Sequence, residues 1–274
     1  MDYQLIACDL DETLLNDQHG ICDRNIELIH KAKEMGVKFV PATGRLYTAV
    51  DNILETLGLD NQAKEYVLSA NGGIISENKG HRLLKCETLT FDKMKQLVLY
   101  GEDKEVCIQI HTLEGFYFYN LNDDERNRVN NQGLTYTVLE NLDVDFMKDY
   151  HIVKVLFQSL DVAYLADLAD DMVDILDGVT YSFSSDRYLE LNKKGVSKGQ
   201  GLHDLARILN IPIEKTIAIG DHYNDVDMLK EAGLSVAAGN AIQDVKDICD
   251  YTTHANNNEG VVAEVIEKFI LNQK

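Results

Sequence analysis

Short apolar runs constrain this chain more than any other feature. LIAC (5–8), VKFVPAT (37–43), YVLSA (66–70), TIAIG (216–220) and LSVAA (234–238) are strand-length and bounded by turn residues. Amphipathic stretches separate them. Residues 24–35 carry Ile26, Ile29 and Ala32 at helical spacing, with Gly36 placed to end the helix. Leu46, Val50, Ile53, Leu54 and Leu57 mark a second helix, closed by Gly58. Further helices are expected over 197–209 and 259–271. Strands alternating with helices predict a parallel sheet with helical crossovers, a doubly wound α/β fold.

The pattern changes in the middle. VCIQIH and GFYFY flank a short loop at 112–115 and read as a hairpin. IVKVLFQ (152–158), a helix over 162–175 and VTYSFSS (179–185) follow. The expected organisation is a Rossmann-like core of residues 1–84 and 187–274, interrupted by an α+β domain over 85–186.

Charge narrows the function. The chain has 46 acidic and 26 basic residues, a formal charge of −20, which disfavours nucleic acid as a partner. A small anionic substrate would need a local cation. The five cysteines are irregularly spaced with no C-x-x-C pair, which argues against a disulfide framework or a zinc site. The N-terminus shows no signal-peptide pattern, and no apolar run reaches the roughly 18 residues of a membrane span. A soluble protein of the cytoplasm is expected.

In an open parallel sheet, ligands bind beyond the carboxyl ends of the strands. Here each such end meets polar residues. The first run leads into Asp9 and Asp11, and the second into Thr43, Gly44 and Arg45. The third leads into Asn71, and TIAIG into Asp221, Asn224 and Asp225. Polar loops in general account for any one of these ends. They account poorly for carboxylates on two strands and Thr-Gly-Arg on a third. Two carboxylates about 4 Å apart in a partly buried site repel by roughly 4 kcal/mol. Converging carboxylates therefore call for a cation, and hard oxygen donors of this kind suit Mg²⁺.

DLDETLL, PATGR, SANGG, VSKGQGL, IGDHYNDVDML, AAGNA and NNNEGV, in this order, resemble the haloacid dehalogenase superfamily, in particular its Cof-type sugar-phosphate phosphatase branch. The likeness spans the core on both sides of the insert, which stands where that branch carries a cap domain. The resemblance implies Asp9 as nucleophile, forming an aspartyl-phosphate, and Asp11 as general acid and then general base. It implies Thr43, Gly44, Arg45, Asn71, Asn224 and Asn240 near the phosphate, and Lys198 neutralising the nucleophile and phosphate oxygens. It implies Mg²⁺ held by Asp9, Asp221 and Asp225, with Asp11 contributing its backbone carbonyl.

Simpler roles stand beside these. Asn71 also suits a left-handed turn, and Asn240 a helix N-cap. Arg45 and His222 either touch substrate or are solvated. Lys198 opens a helix, where the dipole disfavours it. The alternating aromatics of GFYFY fit a strand with one side in a core. Arg126, Arg128 and Lys154 of the insert are candidates to meet a substrate anion. Asp9 and Asp11 are two apart, so an extended chain would turn them to one side and Glu12 to the other, towards solvent. Glu12 stands where the family usually has glycine. The function expected is Mg²⁺-dependent hydrolysis of a small phosphorylated metabolite, a sugar phosphate or a phosphorylated cofactor. A phosphotransferase or mutase sharing the first step, and a non-catalytic phosphate sensor, are the alternatives.

Overall fold

The computed structural model describes residues 3–272. The chain forms two compact units. One comprises the chain up to Cys86 and from Ser197 onward, and the other is Glu87–Val196. In chain order the strands are β1 (Leu5–Cys8), β2 (Lys38–Pro41), β3 (Tyr66–Ser69), β4 (Ile74–Glu77) and β5 (Arg82–Cys86). The insert adds β6 (Cys107–Thr112), β7 (Phe116–Tyr119), β8 (Thr137–Leu139), β9 (Ile152–Gln158), β10 (Val179–Ser184) and β11 (Tyr188–Lys193). The chain closes with β12 (Thr216–Gly220), β13 (Leu234–Ala237) and β14 (Tyr251–Thr252).

In the first unit, β14, β13, β12, β1 and β2 form a parallel sheet in that order. Successive strand residues face opposite sides, yet Leu5, Ile6, Ala7 and Cys8 are all fully buried, so both faces of this sheet are covered. Each such leucine or isoleucine contributes roughly 1.5–3 kcal/mol by leaving water. Helices Asp23–Glu34 and Val261–Ile266 pack together, as do Lys198–Leu209 and Val226–Glu231.

The YVLSA run corrects one expectation. β3 joins the parallel sheet through a single bridge, Ala42 to Leu68, and pairs antiparallel with β4, which pairs with β5. SANGG is thus the start of a tight reversal and not the entry to another helical crossover. The second expected helix is also interrupted, by a short turn at Tyr47–Ala49 before Asp51–Thr56.

Both boundaries of the insert fall later than expected, after Cys86 and after Val196, not after residues 84 and 186. At the first crossing, residues 84–86 complete β5 against β4. At the second, YLELNK forms β11, which pairs antiparallel with both β9 and β10 and so belongs to the inserted sheet. That sheet has the order β10, β11, β9, β6, β7, β8. GFYFY alternates as its period requires. Phe118 is buried beside Cys107 and Val129, while Tyr117 and Tyr119 pack on the other cluster with Phe157 and Leu165. No helix among the described residues is long and apolar enough to cross a membrane.

Candidate active site

Sheet register builds the site. Cys8 lies level with Ile219 on one side and Pro41 on the other. One residue past Cys8 is Asp9, and two past each of its partners are Asp221 and Thr43. Parallel strands therefore deliver these side chains to one edge. The Asp9 N–H donates to the Ile219 carbonyl at 2.9 Å, extending the pairing to the last residue before the loop.

Asp9, Asp221 and Asp225 each offer a carboxylate oxygen within 4.8 Å of the others, and all three are buried. Lys198 reaches them from the first position of helix Lys198–Leu209, whose cap is Ser197 accepting from the Gln200 N–H at 3.2 Å. The Lys198 ammonium donates to Asp225 Oδ1 at 2.6 Å and to Asp9 Oδ1. Its side chain is 0 % exposed, so the mild dipole penalty at a helix start is outweighed by two buried counter-charges. Backbone contact brings the helix this close. A Cβ on Gly201 would come within 2.7 Å of the Gly72 Cα, and one on Gly72 within 2.3 Å of the Ser197 carbonyl. The glycines of SANGG and SKGQG thus let the lysine enter the site.

The other oxygen of Asp225 accepts from the N–H of Asp221 at 3.0 Å and of His222 at 3.3 Å. Thr13 donates to Asp221 Oδ1 at 2.6 Å. Thr13 and Asn257 were not singled out in the sequence, although each lies in a motif that was. Asn224 is half-buried on the same turn as Asp225.

Charge in this cluster is costly. Burial, above all, pushes the Asp9 carboxyl well above its usual range, Lys198 opposing and Asp225, Asp221 and Asp11 adding. Asp221 is pushed up to about 7, chiefly by burial and then by Asp225, with Thr13 and Lys198 pulling down. Burial works against the Lys198 ammonium, but Asp225 and Asp9 outweigh it and raise its pKa. One lysine does not neutralise three buried carboxylates. The donor set, all carboxylate oxygen, fits a hard divalent cation.

Asp11 departs from the expected geometry. Its backbone is extended (φ −71°, ψ 126°), but Glu12 is left-handed at φ 62°, ψ 7°. Leu10, Thr13 and Leu14 are buried and hold this wide turn to the core, and the Leu15 N–H closes it on the Leu10 carbonyl at 2.8 Å. The Asp11 carboxylate is half exposed and outside the three-carboxylate group. Arg45 grips it with two donors, Nε at 3.1 Å and Nη2, so neither group is simply solvated. Glu12 is exposed, as expected.

Thr43 is buried, and its hydroxyl accepts the Arg45 N–H at 3.1 Å. Its carbonyl accepts the N–H of Asn71, which adopts the left-handed conformation at φ 54°. Gly44 lies against Asn71, where a Cβ would come within 3.0 Å of the amide oxygen. Asn240 is not a helix N-cap, since helix Gln243–Ile248 begins after Ile242. Its side chain bonds instead to the Glu12 carbonyl and the Asn257 N–H. Within the insert, Lys154 is buried against Glu190 at 2.5 Å, Arg128 lies over the Tyr188 ring at 5.8 Å, and Arg126 is half-buried.

The model of the haloacid dehalogenase-like hydrolases matches residues 6–266, and the chain belongs to that family. Phosphatase YwpJ of Bacillus subtilis strain 168 is 31 % identical over 289 aligned positions, covering 94 % of this chain and 97 % of its own. The 5-amino-6-(5-phospho-D-ribitylamino)uracil phosphatase YcsE of the same organism is 29 % identical, covering 99 % of this chain and 97 % of its own. A solved haloacid dehalogenase-like hydrolase from B. subtilis has a TM-score of 0.87 at 28 % identity, covering 97 % of this chain and all of that one. Within the family, this chain is a phosphomonoesterase.

Proposed function

We propose that this phosphatase hydrolyses small phosphorylated metabolites, sugar phosphates or closely related phosphomonoesters, through an aspartyl-phosphate on Asp9, with Mg²⁺ as its cofactor. The observation that carries this reading is Lys198 buried between Asp9 and Asp225, with Asp221 completing a carboxylate group at the edge of a parallel sheet. Lys198 takes one Asp9 oxygen and leaves the other to attack phosphorus. The P–O bond to the leaving alcohol breaks, and Asp11 gives that oxygen its proton. Asp11 then takes a proton from the water that attacks the phosphoryl group, releasing inorganic phosphate and regenerating Asp9. Thr43, buried at the same sheet edge, would hold a phosphoryl oxygen through its hydroxyl. Asp9, Asp221 and Asp225 would hold Mg²⁺, which supplies positive charge to the phosphate and to the crowded carboxylates. The inserted unit Glu87–Val196 is the counterpart of the family's cap and carries substrate choice.

The name of the 29 % identical relative, a phosphatase of a ribityl phosphate, supports a phosphorylated polyol or sugar as substrate. Release of inorganic phosphate from a panel of phosphorylated metabolites tests the reading. Sugar and polyol phosphates should lead the panel. Transfer of the phosphoryl group to a second sugar without free phosphate would replace hydrolysis by the transferase alternative. EDTA should abolish turnover and Mg²⁺ restore it; a full rate in EDTA would refute the metal assignment.

A pH dependence follows from Asp221. Its folded-state pKa of about 7 exceeds the ordinary 3.8, so the folded protein binds the extra proton between those values. Stability from this group is therefore present at low pH, falls as pH rises towards 7, and is at its lowest above 7. Metal binding favours the ionised carboxylate. Thermal melts should thus show a larger rise in Tm on adding Mg²⁺ at pH 8 than at pH 5.5. An equal or reversed difference would count against Asp221 as a ligand.

A further inference from the structure

We infer that Asn240, itself held by Asn257, supports the left-handed backbone of Glu12 and so acts as a positioning residue for Asp11. This rests on the proposed role of Asp11 in hydrolysis. The Asn240 amide donates to the Glu12 carbonyl at 2.7 Å, and its oxygen accepts the Asn257 N–H at 3.0 Å. These two bonds fix which way the amide faces. Asn257 in turn donates to the Leu15 carbonyl at 3.2 Å and to Asp17 Oδ1 at 3.0 Å. Asn258 accepts the Asp17 N–H at 3.2 Å and donates to its carboxylate at 3.2 Å. Two segments remote in sequence, one after β13 and one before helix Val261–Ile266, therefore clamp the turn at Glu12 and again at 15–17.

The clamp has a physical reason at Glu12. A side chain at φ 62° meets a steric cost that glycine does not, and the residue bearing it directly follows Asp11. Without that bond to its carbonyl, the glutamate peptide meets less resistance to relaxing towards negative φ, although Leu10, Thr13 and Leu14 still anchor the turn. Such a relaxation would re-aim Asp11 and unseat it from Arg45. Asn240 is exposed, and its partners are backbone groups, so its loss leaves the core intact. A residue that instead bound substrate would act mainly on KM.

The test is rescue. N240A should fold, keep its KM, and lose kcat for phosphate release by roughly tenfold. E12G in the N240A background should restore kcat, because glycine holds the turn unaided. E12Q in that background should not, because it removes the charge beside Asp221 but keeps the strained backbone. Rescue by both would place the effect on the Glu12 charge and overturn the inference. Rescue by neither, or unchanged kcat in N240A, would overturn it as well. Thermal melts of E12G, N240A and the double variant read the coupling of positions 12 and 240 independently of catalysis. If D11N proved fully active, the role of Asp11 would fail while that coupling persisted, so the two failures are distinguishable.

Discussion

Replacing Asp9 by asparagine is expected to lower phosphate release from p-nitrophenyl phosphate by about a thousandfold or more, without unfolding the protein. The amide cannot attack phosphorus as the carboxylate does, and the neighbouring carboxylates Asp221 and Asp225 are already tied by Thr13 and by backbone N–H groups. Stability should respond in the opposite sense. Asp9 is buried among Asp225, Asp221 and Asp11, which raise its pKa alongside burial, so its charge is a burden on the metal-free fold. Lys198 keeps its 2.6 Å contact with Asp225. The melting temperature of D9N in EDTA should therefore equal or exceed that of the wild type, and the rise on adding Mg²⁺ should shrink. Turnover within tenfold of wild type would remove Asp9 from the nucleophile's role. A sharply lowered melting temperature would remove the account of its electrostatics.

Lys198→Met should damage both activity and stability. Methionine fills similar volume but leaves Asp9 and Asp225 buried without their counter-charge. Breaking a buried ion pair from one side costs about 3–5 kcal/mol, so a fall in the midpoint of urea unfolding is expected with the loss of turnover. Mg²⁺ should recover part of the stability, since a cation at the carboxylates replaces some of the missing charge, but not the activity. Lys198→Arg keeps the charge and separates the two effects. It should recover part of the stability that K198M loses, yet turn over slowly, because the planar guanidinium presents its charge differently from the compact ammonium. A K198M protein as stable and active as the wild type would refute the argument.

Much of the core was legible because its strands are buried on both faces. LIAC and TIAIG form strands over the very residues of those runs, and IVKVLFQ does so in the insert. YLELNK was missed. Its alternating Leu189, Glu190, Leu191 and Asn192 reads as a half-exposed strand, but all four are buried, because Glu190 meets Lys154 and Ser184 inside the inserted unit. That miss moved the second boundary by ten residues. YVLSA was recognised as a strand, but its antiparallel pairing was not, because SANGG serves equally as a strand end and as a reversal.

At the site, the strand ends pointed to Asp9, Thr43, Asp221 and Asp225, which the register does bring to one edge, whereas the expectation for Lys198 rested on the family resemblance. Parallel strands of defined register carry whatever follows them to one edge, so local sequence is informative there. Asp11 was different. Its direction is set by a single left-handed residue next to it, and by Arg45, 34 positions away. Asn240 and Asn257 reach the same turn across 228 and 242 positions, through backbone carbonyls that any residue would present.

By itself, then, the amino-acid sequence determined the layered core, the inserted unit and the carboxylates delivered by strand ends. These follow from periodicity and from chemistry local to each run. The tertiary structure alone decided that Lys198 stands between Asp9 and Asp225, that Asp11 turns to Arg45, and that asparagines from the far end of the chain hold the turn between them. Each of those outcomes is a contact between distant segments, and its geometry depends on backbone angles and close approaches that no single segment encodes.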